Sequence, residues 1–167
     1  WGPLEESVYD YARINFENVG TIAPRSWYMT RDKKAIPVES DTSRTKALGI
    51  LGVTPQERHV THIDTLLSTG RWFQPNEQAC ILSAKIAERL NIAPHEVGTA
   101  YVRLFGKHLR VIGLMDPEKL NAFYDLDEEP LTPADFEATG SEVVEEMTQT
   151  EQREQQGLEM PEVEIAP

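Results

Sequence analysis

The sequence predicts an α+β fold, a small mixed sheet with short helices, followed by an acidic, partly helical or extended C-terminal segment. Three observations carry this expectation. Short apolar or alternating runs, such as Ala79-Cys80-Ile81-Leu82 and residues 99–105, have the length and β-favouring composition of strands. The helical patterns between them are short and capped, as where Ser83 precedes Ile86, Ala87 and Leu90 on one face. Charge then divides the chain. Residues 1–124 hold 14 acidic and 15 basic residues, whereas 125–167 hold 14 acidic residues and Arg153 alone, so the formal charge of −12 belongs to the last 43 of 167 residues. We therefore expect an α+β domain over 1–124 and an acidic extension over 125–167, either a linker or part of an adjoining subdomain.

From the N-terminus, Val8-Tyr9-Asp10-Tyr11-Ala12-Arg13-Ile14-Asn15-Phe16 loosely alternates and reads as a strand or extended segment. Residues 23–29, after a Gly-Thr turn, form a second strand. Asp32-Lys33-Lys34 and the polar residues 39–44 read as loops. The apolar run 47–53 reads as one buried strand. Thr54-Pro55-Gln56-Glu57 then has the pattern of a capped helix start, with the helix or turn running to about Leu67 and stopping at Ser68-Thr69-Gly70. Pro75-Asn76-Glu77 is a turn before strand 79–82. Asn91 ends the helix that Ser83 caps, and Val97-Gly98 turns into strand 99–105. Gly106-Lys107 connects that strand to its partner, 108–115, in a hairpin. Asp116-Pro117 opens a short helix with Asp as cap and Pro in the first position. Beyond Tyr124 come an acidic loop, a capped start at Thr132, a helix-forming stretch over 142–156 with few apolar anchors, and a Pro- and Glu-rich end.

Composition excludes several classes. The single Cys80 permits no intrachain disulfide. No run approaches the roughly 18 apolar residues of a membrane span. The chain starts at Trp1 with no charged or apolar leader, and reads as a piece of a longer protein. Its overall sign argues against an unaided binder of nucleic acid or anionic lipid, although the near-neutral body must be judged apart from the acidic extension.

No residue set stands out for catalysis. His59 and His62 are three apart, but no third ligand is placed and the H-E-x-x-H pattern is absent, so surface or interface histidines are expected. Residues 125–129 resemble the start of a calcium loop, yet Pro130 stands where that loop needs glycine. Cys80 has aliphatic neighbours and no adjacent cation, which reads as core packing. Nucleophile elbow, Walker and dinucleotide motifs are all missing. We expect no enzyme activity and no catalytic, metal or cofactor-binding residues. Trp72 and Phe73, between Gly70 and Pro75, allow two roles: a plug folded onto the core, or an exposed hot spot for a partner.

A family resemblance runs from Gly49 to Asp116. Its features, in order, are Gly49, Gly52-Val53-Thr54-Pro55, then Leu66-Leu67-Ser68-Thr69-Gly70-Arg71-Trp72-Phe73, then Cys80-Ile81-Leu82-Ser83-Ala84-Lys85-Ile86-Ala87-Glu88-Arg89-Leu90. Val97-Gly98, Leu104-Phe105-Gly106 and Leu109-Arg110-Val111-Ile112-Gly113-Leu114-Met115-Asp116 complete it. The run resembles the MacB-like periplasmic core domain of FtsX-like ABC transporter permeases. It departs from the family at Ser83, where glycine is usual, and at Thr99, where lysine is usual. Residues 1–46 point to a divergent subgroup. The resemblance implies a non-catalytic extracytoplasmic domain inserted between the first and second transmembrane helices of a bacterial permease. The parent would sit in the membrane and work with a cytoplasmic ABC ATPase subunit or domain. The domain itself would engage cargo, or a periplasmic protein or lipoprotein, and move with the membrane helices.

Two alternatives accompany this reading. One is an interaction module of another soluble protein. The other is an AbrB-like DNA-binding domain, echoed by the strand–helix–turn–strand order over 81–105; a body charge of +1 over 124 residues argues against it and against a nucleic-acid partner. For contact with a protein partner, the candidates are Arg71, Trp72 and Phe73, together with the hairpin tip at Gly106 and Lys107, because loop tips and aromatics commonly make such contacts.

Overall fold

The computed structural model describes residues 5–29, 35–124 and 131. The main sheet is organised around one long strand. Residues Lys107–Met115 form β8, and its neighbours are Tyr101–Leu104 (β7), Leu67–Gly70 (β5) and Ala79–Ser83 (β6). Strands β7 and β5 run antiparallel to β8, while β6 runs parallel to it. Residues 111–115 are consecutively buried, as expected where a strand has neighbours on both edges. Ile36–Glu39 (β2) and Arg44–Ala47 (β3) extend the sheet beyond β7, in the order β3-β2-β7-β8-β5. A separate two-stranded sheet pairs Arg25–Met29 (β1) antiparallel with Gly49–Val53 (β4).

Two apolar clusters form the core. In the first, helix α3 (Ala84–Arg89) lays Ala87, with the following Leu90 and Ile92, against Val38, Leu82, Val102, Val111 and Leu114. The Ser83 hydroxyl accepts the Ile86 amide at 3.3 Å and caps the helix. Asn91, at φ 56°, ends it in the left-handed region that Asn tolerates well. The second cluster holds Ile63, Leu66, Trp72, Met115 and Leu131. It lies beside helix α2 (Glu57–Val60), the 3₁₀ turn Ile63–Leu66 and helix α4 (Pro117–Asn121). Asp116 caps α4, its Oδ1 accepting the amides of Glu118 and Lys119 at 3.0 and 3.3 Å.

The α+β class, the strands at 25–29 and 79–83, the capped helices after Ser83 and Asp116, and the 101–115 hairpin are all present as the sequence predicts. Five local readings need correction. Residues 8–16 are not a strand: Glu6–Phe16 is helix α1, and none of its residues is buried. With no face against a core, its apolar residues carry little periodic signal, and Tyr9 and Tyr11 imitate strand alternation. The run 47–53 is not one buried strand. It breaks at Leu48, with β3 joining the main sheet and β4 joining β1, and β4 is only partly buried. Residues 39–44 are not one loop, since Glu39 and Arg44 are paired strand ends around a turn closed by Ser40. The helix from Thr54 is interrupted: α2 is short, its N-cap is Gln56, and His62 at φ 59° separates it from the 3₁₀ turn. Finally, Ser68-Thr69-Gly70 belongs to β5 and pairs with β8 instead of merely stopping a helix.

The loop expected at 32–34 lies outside the described residues, as do the acidic loop over 125–130 and the segments expected over 132–167. Leu131 is described: it is buried in the second cluster, and its amide donates to the Phe123 carbonyl at 3.0 Å.

Candidate partner-contact surface

Arg71, Trp72 and Phe73 follow β5 directly, and backbone geometry fixes where they start. Gly70 has φ +90°, and a Cβ on it would sit 2.2 Å from the Ile112 carbonyl oxygen. Only glycine permits that approach. The Arg71 amide then donates to the same carbonyl at 3.0 Å. From this fixed point the side chains diverge. Trp72 turns inward, is 7 % exposed, and donates from its indole Nε1 to the Pro55 carbonyl at 3.1 Å. Of the two roles open to it in the sequence, it takes the core plug. Phe73 packs edge-to-face on Trp72, ring centroids 5.1 Å apart, and is partly buried.

Arg71 turns outward into an ionic cluster. Its guanidinium grips Glu77 with both terminal nitrogens, at 2.8 and 2.5 Å, and Arg110 donates to the same carboxylate at 3.2 Å. The Gln74 amide adds a bond at 3.1 Å. The Arg71 hydrogen bonds come first among the causes that hold Glu77 down at about 2, and Glu77 in turn raises Arg71. The turn over residues 75–76 bends Glu77 back to this position. Sequence reading placed the turn there but gave no sign that Glu77 closes onto Arg71.

The second candidate region is the hairpin tip. Leu104 pairs with Lys107, so the two-residue turn is Phe105-Gly106 and Lys107 is the first residue of β8. The sequence reading of Gly106-Lys107 as the connection is therefore one residue late. Both turn residues have positive φ, 49° and 75°, the mirror-image geometry that suits the twist of hairpin strands. Gly106 adopts it without penalty. A phenylalanine there is unusual, because Cβ crowds the carbonyl. The Phe105 ring is 60 % exposed and meets Tyr28, 52 % exposed, edge-to-face at 5.2 Å. This aromatic pair went unnoticed in the sequence; the signal that marks it is the Phe-Gly order at the turn.

The fold does not bring the two regions together. Arg71 abuts Ile112 near one end of β8 and Lys107 begins the other, a separation of roughly 17 Å at about 3.4 Å per residue.

The described residues contain no group of three or more His, Cys, Asp or Glu able to hold a metal. His59 lies in α2, accepting from Arg58 at 3.1 Å, and His62 sits in the break after it. Cys80 is half-buried against the first cluster, and burial pushes its thiol up to about 12. No helix among the described residues is long and apolar enough to cross a membrane.

A mixed sheet with short helices on it and loop-borne contact regions is the class of α+β domain that these elements define. The family follows from comparison: the model of the MacB-like periplasmic core domain matches residues 1–160, and the chain belongs to that family. Domains of this family are extracytoplasmic parts of ABC transporter permeases. One similar solved structure is the periplasmic region of MacB from Actinobacillus actinomycetemcomitans, at 15 % identity and a TM-score of 0.49, covering 66 % of this chain and 50 % of that one. The chain thus spans about half the length of that structure. No curated protein matches the chain. The strand–helix–strand order that prompted the AbrB comparison exists here as β6, α3 and β7, inside a domain of the MacB-like family.

Proposed function

We propose that the chain is a non-catalytic extracytoplasmic domain of an ABC-type permease that engages cargo, or a periplasmic protein or lipoprotein, and couples that engagement to movement of the membrane helices. The observation that carries this reading is the family match across 1–160. ATP hydrolysis belongs, on this reading, to a cytoplasmic ATPase subunit or domain reached through the parent permease. The partner contacts are assigned to the Arg71-Trp72-Phe73 region, with Trp72 acting from the core to fix the other two, and to the tip formed by Phe105, Gly106 and Lys107. The exposed Phe105 ring at the hairpin turn and the exposed cations Arg71 and Lys107 at strand ends support that assignment.

The test uses the full-length gene product. Reporter fusions in this segment should score on the extracytoplasmic side, and transmembrane helices should flank it. A cytoplasmic score, or no flanking helix, overturns the permease reading. In the assembled transporter, Arg71→Ala and Lys107→Glu should each lower transport with the domain still folded. Unchanged transport in both removes the assigned contacts and leaves the domain's location untouched.

A further inference from the structure

One face of the main sheet carries α3; the second cluster covers the other face only around Ile81 and Met115, and over β3, β2, β7 and the Lys107–Arg110 half of β8 that face is open among the described residues. Strand alternation and cross-strand pairing place Arg44 and Lys46 of β3, Glu39 of β2, Tyr101 and Arg103 of β7, and His108 and Arg110 of β8 on that open face. Glu39 is opposite both Arg44 and Arg103, Arg103 is opposite His108, and Tyr101 is opposite Arg110. Val38, Val102 and Val111, the alternating residues, are buried on the α3 side.

The charges on the open face follow a repeated pattern. Glu39 is held by Arg44 and Arg103, with Arg103 Nε donating to its Oε2 at 2.7 Å, and Glu77 is held by Arg71 and Arg110. In each set the carboxylate lies underneath, its side chain 15 % or 10 % exposed, and the four guanidiniums lie above it at 41 to 69 %. The carboxylates therefore orient the arginines without neutralising them, and each set keeps one surplus positive charge. Lys46 adds another and Asp41 offsets it. At the Glu39 set lies an open depression whose lining includes Glu39, Ser40, Asp41, Tyr101, Arg103 and His108. Tyr101, 48 % exposed, lines it and stands opposite Arg110 of the second set.

We propose that this face is a docking surface for an extended acidic segment of a protein partner. Arg103 and Arg110 sit on adjacent strands and are offset by two residues, so their Cα atoms are roughly 8 Å apart by strand geometry. Alternate side chains of an extended chain are spaced about 7 Å and point to the same side, so acidic residues at alternate positions reach one arginine set each, while the residue between points away from the face. Planar guanidiniums bind carboxylates through paired N–H bonds, and Arg and Tyr are the residue types that dominate interface energetics. The surplus is small, and three carboxylates stand in the same face. That favours a discrete acidic peptide over a nucleic acid or polysulfate, whose binding scales with many phosphate-type contacts. The proposal shares Arg71 with the contacts above but does not depend on the permease reading.

The test is fluorescence anisotropy at low ionic strength on the whole 167-residue chain. The probe is a labelled peptide of roughly twelve residues with Glu and Thr alternating. Saturable binding is expected. It should be at least about tenfold weaker with Arg103→Glu/Arg110→Glu, and unchanged with Arg89→Glu, which makes the same kind of charge change on α3. Because charge reversal could disturb the strands, Arg103→Lys/Arg110→Lys is measured with its melting curve. It should fold normally and still bind at least about threefold more weakly, since the charge remains and the fork is lost. A peptide with the same glutamates in one block should bind less well. No binding, equal loss with Arg89→Glu, full binding by both double variants, or tighter binding of duplex DNA or dextran sulfate through these arginines would overturn the proposal.

Discussion

The Trp72 indole donates to the Pro55 carbonyl at 3.1 Å, tying the segment after β5 to the residues that lead into α2. This one bond joins positions 17 apart in sequence and satisfies a carbonyl beside a proline. It also leaves the large ring to fill the second cluster, against Ile63, Leu66, Met115 and Leu131. Arg71 and Phe73 project from a point fixed by that anchor.

Trp72→Ala should therefore destabilise the domain by about 3–5 kcal/mol, through lost packing and a cavity. Trp72→Phe keeps part of the ring volume and loses the hydrogen bond, so a smaller loss is expected, with about 1 kcal/mol of it from the bond. Urea denaturation measures both. A Trp72→Ala variant within about 1 kcal/mol of the parent would contradict the anchoring role.

Two glycines with positive φ should respond very differently to alanine. At Gly70 the added methyl meets the Ile112 carbonyl at 2.2 Å and the Gly113 Cα at 2.6 Å, both backbone atoms that move only if β5 and β8 separate. At Gly106 the same methyl has nothing within 4 Å. Gly106→Ala should cost about 1–2 kcal/mol, the penalty for a left-handed alanine. Gly70→Ala should cost more than about 3 kcal/mol or prevent folding. Equal melting temperatures for the two variants would count against the close approach of β5 to β8.

What the sequence disclosed and what it hid follow from the kind of signal involved. The hairpin, the Ser83 and Asp116 caps and the Asn91 stop depend on neighbouring residues, and each was legible. Helix α1 was not, because a helix that buries no residue has no need of a clean apolar stripe. Its spacing of Val8, Ala12 and Phe16 was present, though weaker to the eye than the tyrosine alternation. The break at Leu48 was hidden because strands β3 and β4 take different partners, β2 at 5 to 11 positions and β1 at 20 to 28 positions away, and local composition does not record them. The ionic sets were hidden for the same reason: Glu39 and Arg103 are 64 positions apart and Glu77 and Arg110 are 33 apart. The family resemblance over Gly49 to Asp116 supplied what composition could not, since it rests on the order of many weak local features.

Glu77 should give the domain an acid-sensitive component. Its carboxyl falls from the ordinary 4.5 to about 2, chiefly through Arg71. A depressed carboxylate contributes stability that is fully present above about pH 4.5 and is lost as pH falls toward 2. Glu39 is lowered as well, by Arg103 and then Arg44, and contributes with the same sign. Glu77→Gln should flatten the fall in stability over that window and reduce stability at neutral pH, where the charged form is the one held. An unchanged acid limb in Glu77→Gln, followed by urea titration from neutral pH to the acid limit of folding, would show that the carboxylate is not held as described.

Cys80 should be chemically quiet in the folded chain. It lies in β6 opposite Val111, packed on the first cluster, and burial raises its thiol to about 12. At pH 8 the thiolate fraction is then about one part in ten thousand, and the thiolate is the reacting form. Modification by a disulfide reagent should be at least about a hundredfold slower in the native protein than in urea, where the thiol returns to its ordinary range. As urea rises, the labelling rate should track unfolding of the β6–β8 pair, because access and ionisation are both restored when the strands part. Labelling of the native chain at the unfolded rate would place Cys80 outside the core and with it the register that sets β6 against β8.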